Sequence, residues 1–103
     1  MAFKGALNAI CDAVSKWDGV AERPHRFGGT AFYRSNRELG HIHGDGLVDI
    51  PFPRDVRDQL VLNGEAQPHH ILPQSGWVSV PLRSAEDVTR AIMLLRRSYE
   101  RRG

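Results

Sequence analysis

Four of the chain's five histidines fall in two short clusters, His41-Ile42-His43 and His69-His70, and Gly76-Trp77 follows the second within a few residues. Imidazole titrates near neutral pH and is a frequent metal ligand, so this concentration calls for proton chemistry or binding. No nucleophile elbow, phosphate-cradling loop or dinucleotide fingerprint accompanies the histidines, and no organic cofactor is expected. Cys11 is the single cysteine, which excludes an internal disulfide and a cysteine-rich zinc site.

Three chemistries remain. An anion site would hold a carboxylate or phosphate with Arg26, Arg54 and donor or protonated His41, His43, His69 and His70, with Trp77 and Ser79 beside them. A metal-dependent enzyme would use His41, His43 and Asp49 as a two-histidine, one-carboxylate set with an open coordination position. A nucleic-acid surface would stack bases on Trp77 and grip phosphates with the arginines of the last helix. We expect the first, a site for a small anionic ligand. Each residue also has a plainer duty to set against this. Two histidines two apart on a strand can be solvated, and Trp77 can simply pack. Asp49, just ahead of Pro51-Phe52-Pro53, reads more readily as a helix cap than as a ligand.

The elements that must position these residues follow from periodicity. Phe3, Leu7, Ile10, Val14 and Trp17 recur at steps of four and three, the stripe of a helix that Asp18-Gly19 ends. A polar connection through Arg23-Pro24-His25-Arg26 and Gly28-Gly29 leads to a strand over Thr30–Arg34. Ser35-Asn36 turns it into a partner over Arg37–His43, and Gly44-Asp45-Gly46 into a third strand over Leu47–Ile50. Pro53 opens a short helix carrying Val56 and Leu60, stopped by Asn63-Gly64. His69–Leu72 and Trp77–Leu82 read as a second strand pair. Ser84 caps a last helix that buries Val88, Ala91, Ile92, Leu95 and Tyr99.

The order α-βββ-α-ββ-α predicts one α+β domain over residues 1–103, a two-layer fold with a mainly antiparallel sheet and helices on one face. Strand alternation then sorts the side chains. Leu39, His41 and His43 should share one face, and Ile42 the other; Trp77 and Ser79 should oppose Val78, Val80 and Leu82. With Ile42, Val78 and Val80 under the helices, His41, His43, Trp77 and Ser79 are displayed together on the open face. Only one of the adjacent His69 and His70 could join them from a regular strand.

Composition narrows the class. Hydrophobic residues are 41% and charged residues 25%, which suits a soluble globular domain and excludes a disordered chain. The net charge of +2 resides in the last twenty residues, where five arginines meet three acids, so the body is neutral and lacks a whole-domain footprint for nucleic acid. Nucleic-acid binding is therefore expected to be weak. There is no apolar run of about 18 residues and no basic-then-apolar leader, which predicts a soluble, cytoplasmic protein with no membrane partner.

The runs His25-Arg26-Phe27-Gly28-Gly29, Arg37-Glu38-Leu39-Gly40-His41-Ile42-His43-Gly44, Asp49-Ile50-Pro51-Phe52-Pro53, His69-His70-Ile71-Leu72-Pro73 and Ser75-Gly76-Trp77-Val78-Ser79 resemble the small bacterial luciferase-domain family of unknown function. The resemblance spans most of the chain, from Pro24 to Tyr99. More distantly, Trp77 and the helix ending in Ser98-Tyr99 resemble the MmcQ/YjbR-like proteins. That likeness implies a CyaY-like α+β fold and a DNA-binding role. The luciferase label implies an oxidoreductase, yet the sequence offers no flavin site or enclosed chromophore pocket for light-emitting oxygen chemistry.

Overall fold

The computed structural model describes residues 2–101, the Phe27 side chain excepted; Arg102, one of the terminal arginines counted above, lies outside them. Helix α1 (Ala6–Ser15) precedes strands β1 (Val20–Pro24), β2 (Thr30–Arg34), β3 (Arg37–His43) and β4 (Leu47–Pro51). Helix α2 (Arg54–Leu62), strands β5 (Gln67–Pro68) and β6 (Trp77–Pro81), and helix α3 (Ala85–Arg101) complete the chain. The strands form one antiparallel sheet in the order β1-β2-β3-β4-β6-β5. This is an α+β fold.

Alternation explains which face is covered. Ile42, Val48, Ile50, Val78 and Val80 are fully or almost fully buried and join Ile10 and Val14 of α1 and Leu94 and Leu95 of α3 in one core. Leu95 lies directly over Gly40, where an added Cβ would come within 2.7 Å of Leu95 Cδ2 and 2.8 Å of the Asp49 carbonyl oxygen. The absent side chain lets α3 settle on the central strands. Ser98 ties the same helix down by donating to the Leu39 carbonyl at 2.9 Å, and the Tyr99 hydroxyl donates to the Asp18 carbonyl at 2.7 Å.

The helix termini draw on distant partners. The Asp45 carboxylate, in the β3–β4 turn, accepts the Leu7 N–H at 2.8 Å and so satisfies a donor at the start of α1. Phe3 and Trp17 of the expected stripe flank this helix rather than belong to it. At α3, Asp87 N–H donates to Ser84 Oγ, as expected of a capping serine, and Asp87 Oδ2 accepts from the N–H of Arg83, one residue ahead of the serine.

Three details depart from the expected layout. The polar connection before Thr30 is partly an edge strand, because β1 pairs along its whole length with β2. Its side chains are mostly exposed, so no period-two pattern marks it, and Pro24 at its end fits an edge position. Second, the β2–β3 register shifts at Phe32/Tyr33, where Phe32 opposes Gly40 but Tyr33 opposes Glu38. The extra residue of this bulge is Leu39, which turns into the core instead of sharing the His41 face, and Glu38 takes that place.

Third, His69–Leu72 is not a strand; the short ladder to β6 is made by Gln67 and Pro68. His69 Nδ1 accepts the backbone N–H groups of Ile71 at 3.1 Å and Leu72 at 3.0 Å, which turns those donors inward and leaves nothing for a ladder. Among the described residues, no helix is long and apolar enough to cross a membrane.

Candidate metal centre

Asp49 lies in the middle of β4 with strands on both sides, and the registers His41↔Asp49 and Asp49↔Ser79 line three polar side chains across the central strands. Directly opposed residues on one sheet face have their Cβ atoms close enough for direct contact. Ser79 Oγ donates to Asp49 Oδ1 at 2.6 Å. The carboxylate is fully buried.

Its second oxygen is crowded. His41, His43 and His70 bring Nε2 to 3.1, 3.1 and 3.2 Å of Asp49 Oδ2, and His69 Nε2 stands at 3.5 Å. His41 and His43 come from alternate positions of β3. Both His69 and His70 reach the same atom because the chain has left the strand geometry that would have sent them to opposite faces. His41 also donates from Nδ1 to Glu38 Oε2 at 2.6 Å.

The fifth histidine belongs here too. His25, just before a 3-10 turn at Arg26–Gly28, stacks on His41 with ring centroids 3.9 Å apart. The close approach depends on Gly29, where a Cβ would lie 2.9 Å from the Ile42 carbonyl and 3.5 Å from His43 Nδ1. His25 was not among the expected site residues. Its only sequence signal is its place ahead of Gly28-Gly29, a turn that can fold a loop back onto the sheet.

A cleft of about 480 Å³ opens over this cluster. All five histidines and Asp49 line it, together with Arg26 and the apolar side chains of Leu47, Ile71, Leu72 and Trp77. Trp77 lies 5.2 Å from His41 and 6.0 Å from His69, ring centroid to ring centroid. Two expected site residues have other duties. Ser79 sits beneath the floor, bonded to Asp49. Arg54 and its neighbour Arg57 donate to the Gln74 and Pro73 carbonyls and anchor the loop before Trp77. Nor does Asp49 cap α2, whose N-terminal position is Pro53; Asp49 is held mid-strand, bonded to Ser79 and the histidines.

The electrostatics follow from the packing. Burial alone would raise the Asp49 carboxyl, but hydrogen bonds from His41 and Ser79 and the neighbouring His69 and His70 outweigh it and hold it well below the usual carboxylate range. Burial likewise disfavours a charged His41, yet bonds to Asp49 and Glu38 lift its pKa to about 9. His69 and His25 are pushed below the ordinary histidine value, chiefly by burial and then by neighbouring imidazoles.

Among the described residues, two sets of three offer ligand atoms all within 4.8 Å of one another: His43, Asp49 and His70, and His25, His41 and His43. The first contains two imidazoles and a carboxylate, a donor set suited to first-row transition metals. It differs from the expected His41, His43 and Asp49 set by taking His70 in place of His41.

Residues 36–98 match the family model described as Luciferase domain. The chain belongs to the luciferase-domain family. The matched span includes Glu38, His41, His43, Asp49, His69, His70, Trp77 and Ser79, so most of the cluster lies within the luciferase domain, with His25 and Arg26 just ahead of it. No curated protein and no solved structure matches the chain.

Proposed function

We propose that this protein binds a divalent transition-metal ion through His43, Asp49 and His70, and that the ion presents open coordination positions to a small anionic ligand in the cleft. The observation that carries this reading is four imidazole nitrogens within 3.5 Å of one carboxylate oxygen. An oxygen has lone pairs for about two strong hydrogen bonds, so four ring nitrogens cannot all be satisfied by Asp49 Oδ2. His41, bonded to both Glu38 and Asp49, and His69, whose Nδ1 accepts two backbone N–H groups, donate to the carboxylate. A cation between Oδ2 and the remaining rings resolves the conflict, because neutral His43 and His70 then offer it lone pairs.

Two further features support it. His41 donates to the ligand Asp49, the kind of outer hydrogen bond that orients a metal-bound carboxylate, and Glu38 holds Nδ1 of His41 in turn. His43 is half-buried and His70 exposed, so an ion there has protein on one side and the cleft on the other, as in sites with three protein ligands and a vacant position. Bound there, a metal would act as a Lewis acid on an oxygen of the ligand.

Cobalt(II) is the direct probe, since a coordinated ion shows visible bands and calorimetry gives its stoichiometry. One ion per chain is expected, lost in His43→Ala and His70→Ala while both variants keep the wild-type melting temperature without metal. Affinity should weaken as pH falls, because protons compete for the imidazoles; an anion site without metal would strengthen instead. A folded wild type that takes up neither cobalt nor zinc refutes the proposal.

The nucleic-acid reading, drawn from the MmcQ/YjbR-like resemblance, has weaker support. Arg90 pairs with Asp87, and Arg96 pairs with Glu100 while lying over Trp17 and Tyr99, so these cations already have partners.

A further inference from the structure

The wall of the cleft asks for an explanation that a metal ion alone does not supply. Ile71 and Leu72 are 69% and 53% exposed, the only consecutive pair among the large exposed hydrophobics of the described residues. They are not on a loose tether. His69 Nδ1 accepts both of their N–H groups, Ser75 Oγ donates to the Leu72 carbonyl at 2.7 Å, and Arg54 and Arg57 hold the next two carbonyls. Two apolar side chains are thus displayed at the rim by a loop bonded at several points, alongside Leu47 and Trp77. The same cleft is lined by the imidazole cluster and Arg26.

We propose that the occupant of this cleft is an amphipathic organic monocarboxylate. Its carboxylate meets the metal and Arg26, and its hydrocarbon body of roughly five to eight carbons lies along Leu47, Ile71, Leu72 and Trp77. The inference rests on the metal site proposed above and names the ligand class for it. Charge complementarity selects the head group: an open coordination position in a cleft that Arg26 also lines favours an anionic oxygen donor. The wall selects the body, because covering exposed Ile71 and Leu72 removes apolar surface from water. The volume, about 480 Å³, falls in the range of small-molecule sites and exceeds what acetate or phosphate would fill.

The test is a ligand ladder on the cobalt-loaded protein, reading the cobalt bands as acetate, butanoate and hexanoate are added, with hexan-1-ol as the uncharged comparison. Affinity should rise about threefold to fourfold for each methylene added, as expected for burial of a methylene, and hexan-1-ol should bind at least about tenfold more weakly than hexanoate. The double variant Ile71→Ser, Leu72→Ser should flatten the ladder, and Arg26→Gln should weaken all three acids by a similar factor. A wild-type protein that binds cobalt but holds acetate and hexanoate equally overturns this inference and leaves the metal site standing. Absence of cobalt binding overturns both. Sedimentation of wild type and double variant excludes the competing occupant: a dimer that the two serines dissociate would make the pair a self-contact and overturn the ligand assignment.

Discussion

His69 and Asp49 meet nitrogen to oxygen at 3.5 Å, and the sense of that contact is set from the far side of the ring. Because His69 Nδ1 accepts two backbone N–H groups, the neutral ring carries its proton on Nε2 and offers it to Asp49. His69 is therefore a donor to the carboxylate and an anchor for the loop, and His70 beside it is the ligand.

The two histidines should separate in mutagenesis. His70→Ala is expected to abolish metal binding with little change in stability, since its side chain is 44% exposed. His69→Ala should release the Ile71 and Leu72 amides to hydrogen exchange while retaining measurable metal affinity. Unchanged protection of those amides would show that the ring does not hold the loop.

Glu38→Gln is expected to lower metal affinity about 10- to 100-fold without unfolding the protein. The amide cannot supply the charge that orients His41, and through it Asp49. Competition titration against a chelator reads this directly; an affinity equal to wild type would assign Glu38 a role in stability alone.

The metal-free protein should lose stability as pH rises. His41 titrates near 6.5 in an unfolded chain and at about 9 in the fold, so folding favours its protonated ring. That contribution is complete below pH 6.5 and disappears as pH climbs through 9, with a slope of up to about 1.4 kcal/mol per pH unit between them. Urea melts across this range should show the decline in wild type and not in His41→Ala. A midpoint that rises with pH in the absence of metal contradicts the assigned ion pairing.

Leu95→Ala should cost about 2 to 5 kcal/mol, because the cavity would open over Gly40 in the centre of the sheet. His43→Ala, on the open face, should cost much less. Urea midpoints in the reverse order would make the histidine cluster a structural feature.

The elements whose packing is periodic could be read from the residues alone. The steps Leu7, Ile10, Val14 and Val88, Ala91, Leu95 are legible because a helix buries one stripe, and the alternation in Trp77–Leu82 separated Val78 and Val80 from Trp77 and Ser79 because a strand buries one face. Three things were decided only in the folded chain. The bulge at Leu39 exchanged it for Glu38 beside His41, since a register shift depends on the partner strand. Side-chain capture of the Ile71 and Leu72 amides broke the strand and let both His69 and His70 reach Asp49, a local bond that residue types do not announce. His25 and Asp49 lie 24 positions apart, and their convergence rests on β1 and Gly29 laying one loop against β3. Local periodicity encodes which face a residue takes; which residues meet across that face is set by strand order and register, and those are properties of the whole sheet.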